Sequence, residues 1–534
     1  MLGRMALCMA LSACLPVAGA AAQQHDHAAP EKLGTVSFRT SCSQPVAVQF
    51  NTAVALMHSF QFGRAIETFR AVLKQDPQCA MAYWGIALSS WGNPFAGFKS
   101  PAQLASGSEA VRRARAVGAR TARERSYIDA VGQLYVEDTR VLQPARMQAY
   151  EAAMGSVAAA NPADTEATIF YALALAAAAD PGDKSYARQI KAGALLERLF
   201  VRFPDHPGLA HYIIHAYDEP ALAAHAAEAA RRYAAIAPST PHALHMPSHT
   251  FTRVGDWEAS IKANLSSASA AQAAGQPADV LHANDYLVYA YLQTGQDRLA
   301  EDLVRSSAEI FQAFDPAHAT GAAPPSAAFY AHAAIPARYT LERHAWAEAA
   351  HVAIVSSPFG NANAISYFAR GMGAAQLRDD VAATEAVVAL GQIRDTLARS
   401  HDDYWAGQVE IQRQKVAAMQ ARARGEVAGA IAGLRAAATL EDRTELASVT
   451  PGPFLPAREM LGELLLENDK PGEALTEFRA SLVREPNRFW SLYGAAKAAK
   501  LAGQPGVARS YAEQLLRITA GSTRPELGEL RYRK

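Results

Sequence analysis

A spacing of 34 residues recurs along this chain and constrains its fold more than any other feature. Near the N-terminus, a fixed order of small, large, Ala, aromatic and Pro positions is filled by Ala53, Leu56, Ala65, Phe69 and Pro77. Near the C-terminus the small, Ala, aromatic and Pro positions recur as Gly462, Ala474, Phe478 and Pro486, and Ala508 follows Ala474 by 34 residues. Small residues let two helices approach closely, and Pro ends the second helix of each pair. The spacing therefore predicts stacked helical hairpins.

This order and period are those of the tetratricopeptide repeat, a unit of two antiparallel helices. One unit cannot bury its apolar face alone, so successive units stack into a solenoid whose inner surface is lined by the first helices. Alanine supplies much of the 50% hydrophobic share, and the alternating Val/Ile/Thr runs of strands are missing. We therefore expect an all-α, tetratricopeptide-like superhelix in two stacks, residues 45–315 and 326–534, after an irregular segment at 23–44.

The first residues have the features of a secretory signal. Arg4 precedes the apolar run MALCMALSACLPVAGA, and small residues follow it. We expect residues 1–22 to be removed by cleavage near Ala20 to Ala22, and the mature protein to be exported to the periplasm. Lipid attachment at Cys14, within LSAC, is the alternative. No later apolar run is long enough to predict a transmembrane segment.

Two cysteines, Cys42 and Cys79, remain after such cleavage. In an oxidising compartment they could pair, and closing that loop would stabilise the fold by about 4 kcal/mol. Two small buried thiols are an equally good interpretation. Charge offers no further guide, because Lys plus Arg and Asp plus Glu both number 51. A formal net charge of zero gives no electrostatic reason to expect nucleic acid or an anionic membrane as a partner.

Two histidine stripes follow the repeat. HYIIH places His211 and His215 at i and i+4, and HMPSH places His245 and His249 34 residues later. First helices of neighbouring units lie roughly 8–10 Å apart, so the four imidazoles are predicted to face one another as two rungs. The residues that could extend these stripes or approach them from neighbouring first helices are His242, His282, Asp218, Asp285 and Glu166.

Imidazole with a few carboxylates suits a transition metal such as Zn, Cu or Fe. We therefore predict a metal site in the central groove, with the two stripes as its main ligands, and leave open whether it catalyses a reaction. Pro247 either kinks the helix between His245 and His249 or begins it and removes His245 from the stripe. The alternative function is a metal-free scaffold that binds a peptide or partner protein in its groove, with the histidines as hydrogen-bonding groups.

The chain resembles a widespread bacterial group of secreted tetratricopeptide-repeat proteins. The blocks that carry the resemblance include DPQCAMAYWGIALS, RERSYIDAV, HPGLAHYIIHAYDEP and IAPSTPHALHMPSHTFTRVGDW, and the match extends over about residues 33–300. The resemblance implies the fold, export and a histidine-rich centre, and it implies no particular activity. Members of the group tend to show a His-Pro pair after WGIALS, where this chain has WGNPF, so a ligand at that position would be lacking here.

Overall fold

Helices that pack against one another in chain order make up nearly all of the regular structure. The structure is a computed structural model that describes residues 31–97, 99–136 and 142–530. Within these ranges the α-helices are α1 (Ala47–His58), α2 (Phe62–Gln75), α3 (Ala80–Trp91), α4 (Pro101–Val117), α5 (Ala122–Gly132), α6 (Gln143–Ala160), α7 (Thr165–Ala177), α8 (Ala187–Arg202), α9 (Pro207–Ala216), α10 (Ala227–Ile236), α11 (Pro241–His245), α12 (Pro247–Arg253), α13 (Trp257–Ala273), α14 (Pro277–Gln293), α15 (Asp297–Gln312), α16 (Pro325–Leu341), α17 (Trp346–Ala349), α18 (Gly360–Gln376), α19 (Asp380–Arg399), α20 (Asp403–Ala423), α21 (Val427–Asp442), α22 (Ala457–Glu467), α23 (Pro471–Arg484), α24 (Phe489–Leu501), α25 (Pro505–Ile518) and α26 (Glu526–Glu529). No strand occurs among these residues.

The same packing device recurs at both ends of the chain. The Phe69 ring packs directly against Gly85 on α3, and a Cβ at that glycine would lie only 2.2 Å from the ring. The aromatic side chain therefore fills the space that the missing Cβ leaves. Phe478 occupies the equivalent space against Gly462 and Gly494. First helices of neighbouring hairpins also contact one another: α14 packs against α16, and α16 packs against α18. The predicted all-α, tetratricopeptide-like solenoid is confirmed.

The segment before α1 is extended and tied to the body of the protein. Residues 32–40 have no regular secondary structure, as expected, and Thr35 N–H donates to the Asp205 carbonyl at 2.9 Å. Cys42 and Cys79 form a disulfide, with their Cα atoms 4.8 Å apart. The predicted signal sequence and Cys14 lie outside the described residues. Among the helices that are described, none has the length and apolarity needed to cross a membrane.

A long connection, the inner segment (residues 443–456), joins α21 to α22 and lies along the first helices of earlier hairpins. Its backbone carbonyls accept hydrogen bonds from cationic side chains on those helices: Arg253 donates to Pro451 at 3.1 Å, and Arg338 donates to Gly452 at 2.9 Å. Further along, Lys415 donates to the Phe454 carbonyl at 2.9 Å. The chain therefore covers part of its own inner surface with an extended segment.

The C-terminal hairpins return to the middle of the chain. Trp257 Nε1–H donates to the Asn487 carbonyl, and Asn487 Nδ2 donates to the Gly255 carbonyl, each at 2.9 Å. Gly255 has φ +71°, and a Cβ there would lie 2.3 Å from the Pro486 carbonyl oxygen, so only glycine fits this contact. The described residues from Lys32 onward accordingly form one compact unit, and the expected boundary at 315–326 is the loop between α15 and α16.

Candidate metal centre

Four consecutive first-helix segments place six histidines together in the interior. The side chains that share this region are His211 and His215 on α9, His242 and His245 on α11, His249 on α12, and His282 on α14. Met246 separates α11 from α12, but its φ and ψ of −52° and −36° are still those of a helix. His245 therefore stays in line with His249 although Pro247 begins a new helix, and Nε2 of one lies 3.0 Å from Nε2 of the other.

The six histidines divide into two groups of three. The first triad is His211, His215 and His242, and the second triad is His245, His249 and His282; within each, one possible ligand atom per residue lies within 4.8 Å of the others. This differs from the predicted rungs, which paired His211 with His245 and His215 with His249. The histidine whose ring nitrogen lies within hydrogen-bond distance of the His211 ring is instead His242, at 3.0 Å between their Nε2 atoms. His242 lies one helical turn before His245 on the same face of α11, so the contact of His211 is displaced by one turn from the predicted register.

Hydrogen bonds on the outer side of the second triad set the tautomers of two of its members. His245 Nδ1–H donates to Asn264 Oδ1 at 2.7 Å, and this oxygen is identified because Asn264 Nδ2 donates to the Ser260 carbonyl. His249 Nδ1–H donates to Asp218 Oδ2 at 2.8 Å. A neutral imidazole protonated at Nδ1 has a lone pair at Nε2. The two Nε2 atoms that face each other at 3.0 Å therefore present two lone pairs and no proton between them.

Such an arrangement is repulsive unless a cation lies between the lone pairs or one ring is protonated. Burial lowers the pKa of His245 well below its ordinary value of 6.5, and the neighbouring His282 and His249 lower it further. Burial likewise lowers the pKa of His215 and His242, and that of His211 to about 3. These imidazoles are therefore neutral at pH 7, which is the form that binds metal ions.

The first triad has a related arrangement. His211 Nδ1–H donates to the backbone carbonyl of His58 at 2.6 Å, so its Nε2 also carries a lone pair directed at His242. His215 Nε2 is buried and has no hydrogen-bond partner among the described residues. Aromatic rings close this side of the site: Phe95 stacks on His215 with ring centroids 4.2 Å apart, and Phe60 stacks on His242 at 5.3 Å. Phe95 belongs to the WGNPF segment, so that segment does reach the centre.

A third histidine group nearby provides an internal contrast. Glu166 accepts from His58 Nε2–H at 2.9 Å and from His206 Nε2–H at 3.0 Å, and His58 Nδ1 accepts from the Tyr212 hydroxyl. Burial opposes ionisation of Glu166, but the two histidines outweigh it and hold the pKa of this carboxyl well below its ordinary value. Each contact with Glu166 joins one donor and one acceptor, so no lone pairs oppose each other there, although His206 Nδ1 is buried without a hydrogen-bond partner among the described residues.

The three carboxylates predicted as ligands do not join either triad. Glu166 belongs to the group just described, and Asp285 pairs with Arg338 at 2.8 Å. Asp218 accepts from His249 through one oxygen and from Arg253 through the other, at 3.1 Å. Asp218 therefore orients a histidine, which is a usual role of a carboxylate next to a metal-binding imidazole. Tertiary contacts that no spacing reveals redirect these side chains: arginines pair with the two aspartates, and two other histidines with Glu166.

The site contains one residue with a larger part than the sequence predicts and two that the sequence does not indicate. His242, expected to extend a stripe, contacts His211 directly. The backbone carbonyl of His58 and the Asn264 side chain set tautomers from α1 and α13, far from the stripes in sequence. The i, i+3 spacing of His242 to His245 is the signal that places His242 on the same helix face. The other two contacts carry no sequence signal, because a carbonyl belongs to every residue and a lone Asn is common on helices.

The chain matches no protein-family model and no curated protein. Among solved structures it resembles a human IFIT1 dimer with m7Gppp-AAAA (11% identity over 83% of this chain and 90% of that one, TM-score 0.36). It also resembles the Cut9–Hcn1 hetero-tetramer of the APC/C, with 12% identity over 91% of this chain and 76% of that one and a TM-score of 0.38. A third similar structure is the P58(IPK) TPR domain, with 14% identity over 86% of this chain and 99% of that one and a TM-score of 0.22. Likeness at this level carries no argument about ligands or partners.

Proposed function

We propose that this protein binds a transition-metal ion through buried histidines, and that the second triad is its primary site. The observation that supports this most directly is the pair of lone pairs on His245 and His249, which face each other at 3.0 Å with their protons fixed on the opposite nitrogens. A cation between them turns a repulsive contact into two ligand bonds. The group of His58, Glu166 and His206 has no such conflict and is expected to hold no ion.

The donor set narrows the class of metal. Three imidazoles without a thiolate suit Zn, Cu, Fe or Ni better than Mg or Ca, which prefer oxygen ligands. The hydrogen bonds from Nδ1 to Asn264 and Asp218 are the outer contacts that metal-binding histidines usually make. Three protein ligands leave a fourth position for water or another small ligand. The proposal is ion binding and assigns no reaction.

The inner segment is the reason for preferring this function over a scaffold that binds peptides. A partner peptide on the first helices α12, α14 and α16 would have to displace this segment, whose carbonyls and Thr450 hydroxyl accept from Arg253, Tyr286 and Arg338. The hydrogen bonds from the two buried arginines are each worth about 1.5–3 kcal/mol.

We also propose that the protein is exported to the periplasm, because Arg4 and the apolar run that follows it have the features of a secretory signal.

Metal content tests this proposal. The protein is produced without a His tag, dialysed against a weak chelator and analysed by mass spectrometry for transition metals, alongside His245→Gln. Near-stoichiometric metal is expected in the parent, and a loss of at least half in His245→Gln. His206→Gln is the matched control, because His206 is equally buried but donates to Glu166, and its metal content should equal that of the parent. Only trace metal in the parent, or equal metal in parent and His245→Gln, would contradict the proposal.

A further inference from the structure

The first triad offers a second set of donors beside the primary site. His211 Nε2 carries a lone pair, because its Nδ1–H is committed to the His58 carbonyl, and it lies 3.0 Å from His242 Nε2. His215 is more than nine-tenths buried, and its Nε2 has no hydrogen-bond partner within the described chain. An unpartnered nitrogen at such a depth is costly unless it binds something. The three imidazoles therefore offer a second set of nitrogen donors, whose possible ligand atoms lie within 4.8 Å of one another.

The two triads are neighbours. The ring centroids of His215 and His249 are 6.2 Å apart, and those of His242 and His245 are also 6.2 Å apart. Ions held by the two triads would thus be close enough to influence each other. Because Coulomb repulsion scales with the product of the charges, two divalent ions repel each other four times as strongly as two monovalent ions at the same separation.

The charge balance of the cluster selects between metals. All six ring ligands are uncharged when they bind, and the nearest carboxylate, Asp218, is already paired with Arg253. Little negative charge is therefore available to offset two divalent ions. Among the metals that imidazole suits, copper is the one with a stable monovalent state.

We propose that the two triads together bind two copper ions as one centre, most readily as Cu(I). This inference rests on the proposed function, since it adds a second ion to the site described there. It also predicts selectivity: two Cu(I) ions should bind per chain, whereas a second Zn(II) should bind far more weakly than the first. In the oxidised pair, a bridging anion such as hydroxide would supply the missing negative charge.

Titration of the metal-free protein counts the ions. Under anaerobic conditions, Cu(I) is added in the presence of a chromogenic Cu(I) chelator, and Zn(II) is titrated separately. We expect two Cu(I) per wild-type chain, one in His242→Phe and one in His282→Phe. His332→Phe is the control, because His332 stacks on Phe311 outside the cluster, and it should retain two. Circular dichroism checks folding, and His242→Gln replaces His242→Phe if the larger ring prevents folding.

The outcomes separate the two proposals. One Cu(I) in the wild type overturns the second ion and leaves the proposed function intact, whereas no bound metal of either kind overturns both. Two Zn(II) bound as tightly as two Cu(I) overturn the assignment to copper.

Spectroscopy tests whether the ions form one centre. Ferricyanide removes one electron from each Cu(I), giving one Cu(II) and one ferrocyanide per ion. In the wild type we expect the electron paramagnetic resonance of the two Cu(II) ions to be coupled, with far less than two spins of isolated signal. Each single-triad variant should give one isolated spin. Two isolated spins in the wild type would show that the ions are independent and would overturn the single centre.

Discussion

At the scale of single residues, the position of one proton on each imidazole decides what the cluster can do. Asn264 and Asp218 hold the protons of His245 and His249 on Nδ1 and turn both Nε2 lone pairs inward. In the group around Glu166, the protons of His58 and His206 lie on the nitrogens that face the carboxylate. The same type of side chain thus directs nitrogen lone pairs inward in the second triad and N–H donors toward a carboxylate in the group around Glu166.

Replacing the carboxylate behind His249 tests this role. Asp218→Asn keeps the size of the side chain but removes the carboxylate charge that holds the His249 proton on Nδ1. We expect metal affinity to fall about 10- to 100-fold, the usual effect of losing such an outer partner. Competition with a metal indicator of known affinity measures the change.

Asp285→Asn is the matched control for that measurement. Asp285 is also buried and also pairs with an arginine, Arg338, but the structure gives it no contact with an imidazole. Both variants lose a buried Asp–Arg pair, so both should lose stability in urea unfolding of the metal-free protein. Only Asp218→Asn should lose metal affinity; an equal loss in Asp285→Asn would mean that the effect comes from general destabilisation.

At the scale of helices, the close approach of α1 to α9 connects the first hairpin to the proposed metal centre. A Cβ on Gly208 would lie 2.5 Å from His58 Nδ1, so only a glycine lets α9 come this near. The same approach brings the His58 carbonyl within 2.6 Å of His211 Nδ1. The position of one helix therefore sets both a packing contact and a tautomer in the first triad.

Gly208→Ala tests that contact. The added methyl group must push His58 aside, and overpacking of this kind costs about 1–3 kcal/mol of unfolding free energy. Gly63→Ala on α2 is the control, because nothing lies within 4 Å of its Cβ, and alanine should leave stability unchanged or raise it by up to about 1 kcal/mol. Urea unfolding of the metal-free proteins measures both. Equal stability of the two variants would show that α1 and α9 can separate freely.

At the scale of the whole molecule, the loop between α15 and α16 is held by a buried carboxyl on α14. Asp279 accepts from the backbone N–H groups of Ala322 and Ala323 at 3.2 and 3.3 Å. Burial raises the pKa of Asp279 from 3.8 to about 7, although those two hydrogen bonds act in the opposite direction. The junction between the earlier and later hairpins is therefore expected to respond to pH.

The sign follows from proton binding. Between pH 3.8 and 7 the folded protein holds a proton on Asp279 that the unfolded chain has lost, so raising the pH favours unfolding. The stability that Asp279 contributes is complete below pH 3.8 and is lost as pH rises through about 7. Relative to Asp279→Asn, which does not titrate, the wild type should lose about 2.5 kcal/mol of unfolding free energy between pH 5 and pH 8. Urea unfolding of both proteins at the two pH values measures it; a constant difference would contradict the raised pKa.

The 34-residue period was enough to predict the helical hairpins, because it places small residues where helices touch and aromatic residues where they fill the space. Phe69 against Gly85 and Phe478 against Gly494 show why: each contact lies within about one repeat of chain. The same period brought the histidine stripes onto neighbouring helices. The period did not predict the pairs correctly, since His211 contacts His242, which lies one helical turn before the expected partner His245.

Long-range contacts, by contrast, were decided by tertiary structure alone. The His58 carbonyl reaches His211 across 153 positions, and Arg253 reaches Pro451 across 198. Such contacts depend on how the superhelix turns and closes on itself, and that turn is the sum of small rotations at every hairpin, none of which a residue pattern specifies. The sequence by itself determined the repeat and the gathering of histidines. Only the folded chain decided which nitrogens carry protons, and hence where a metal ion can bind.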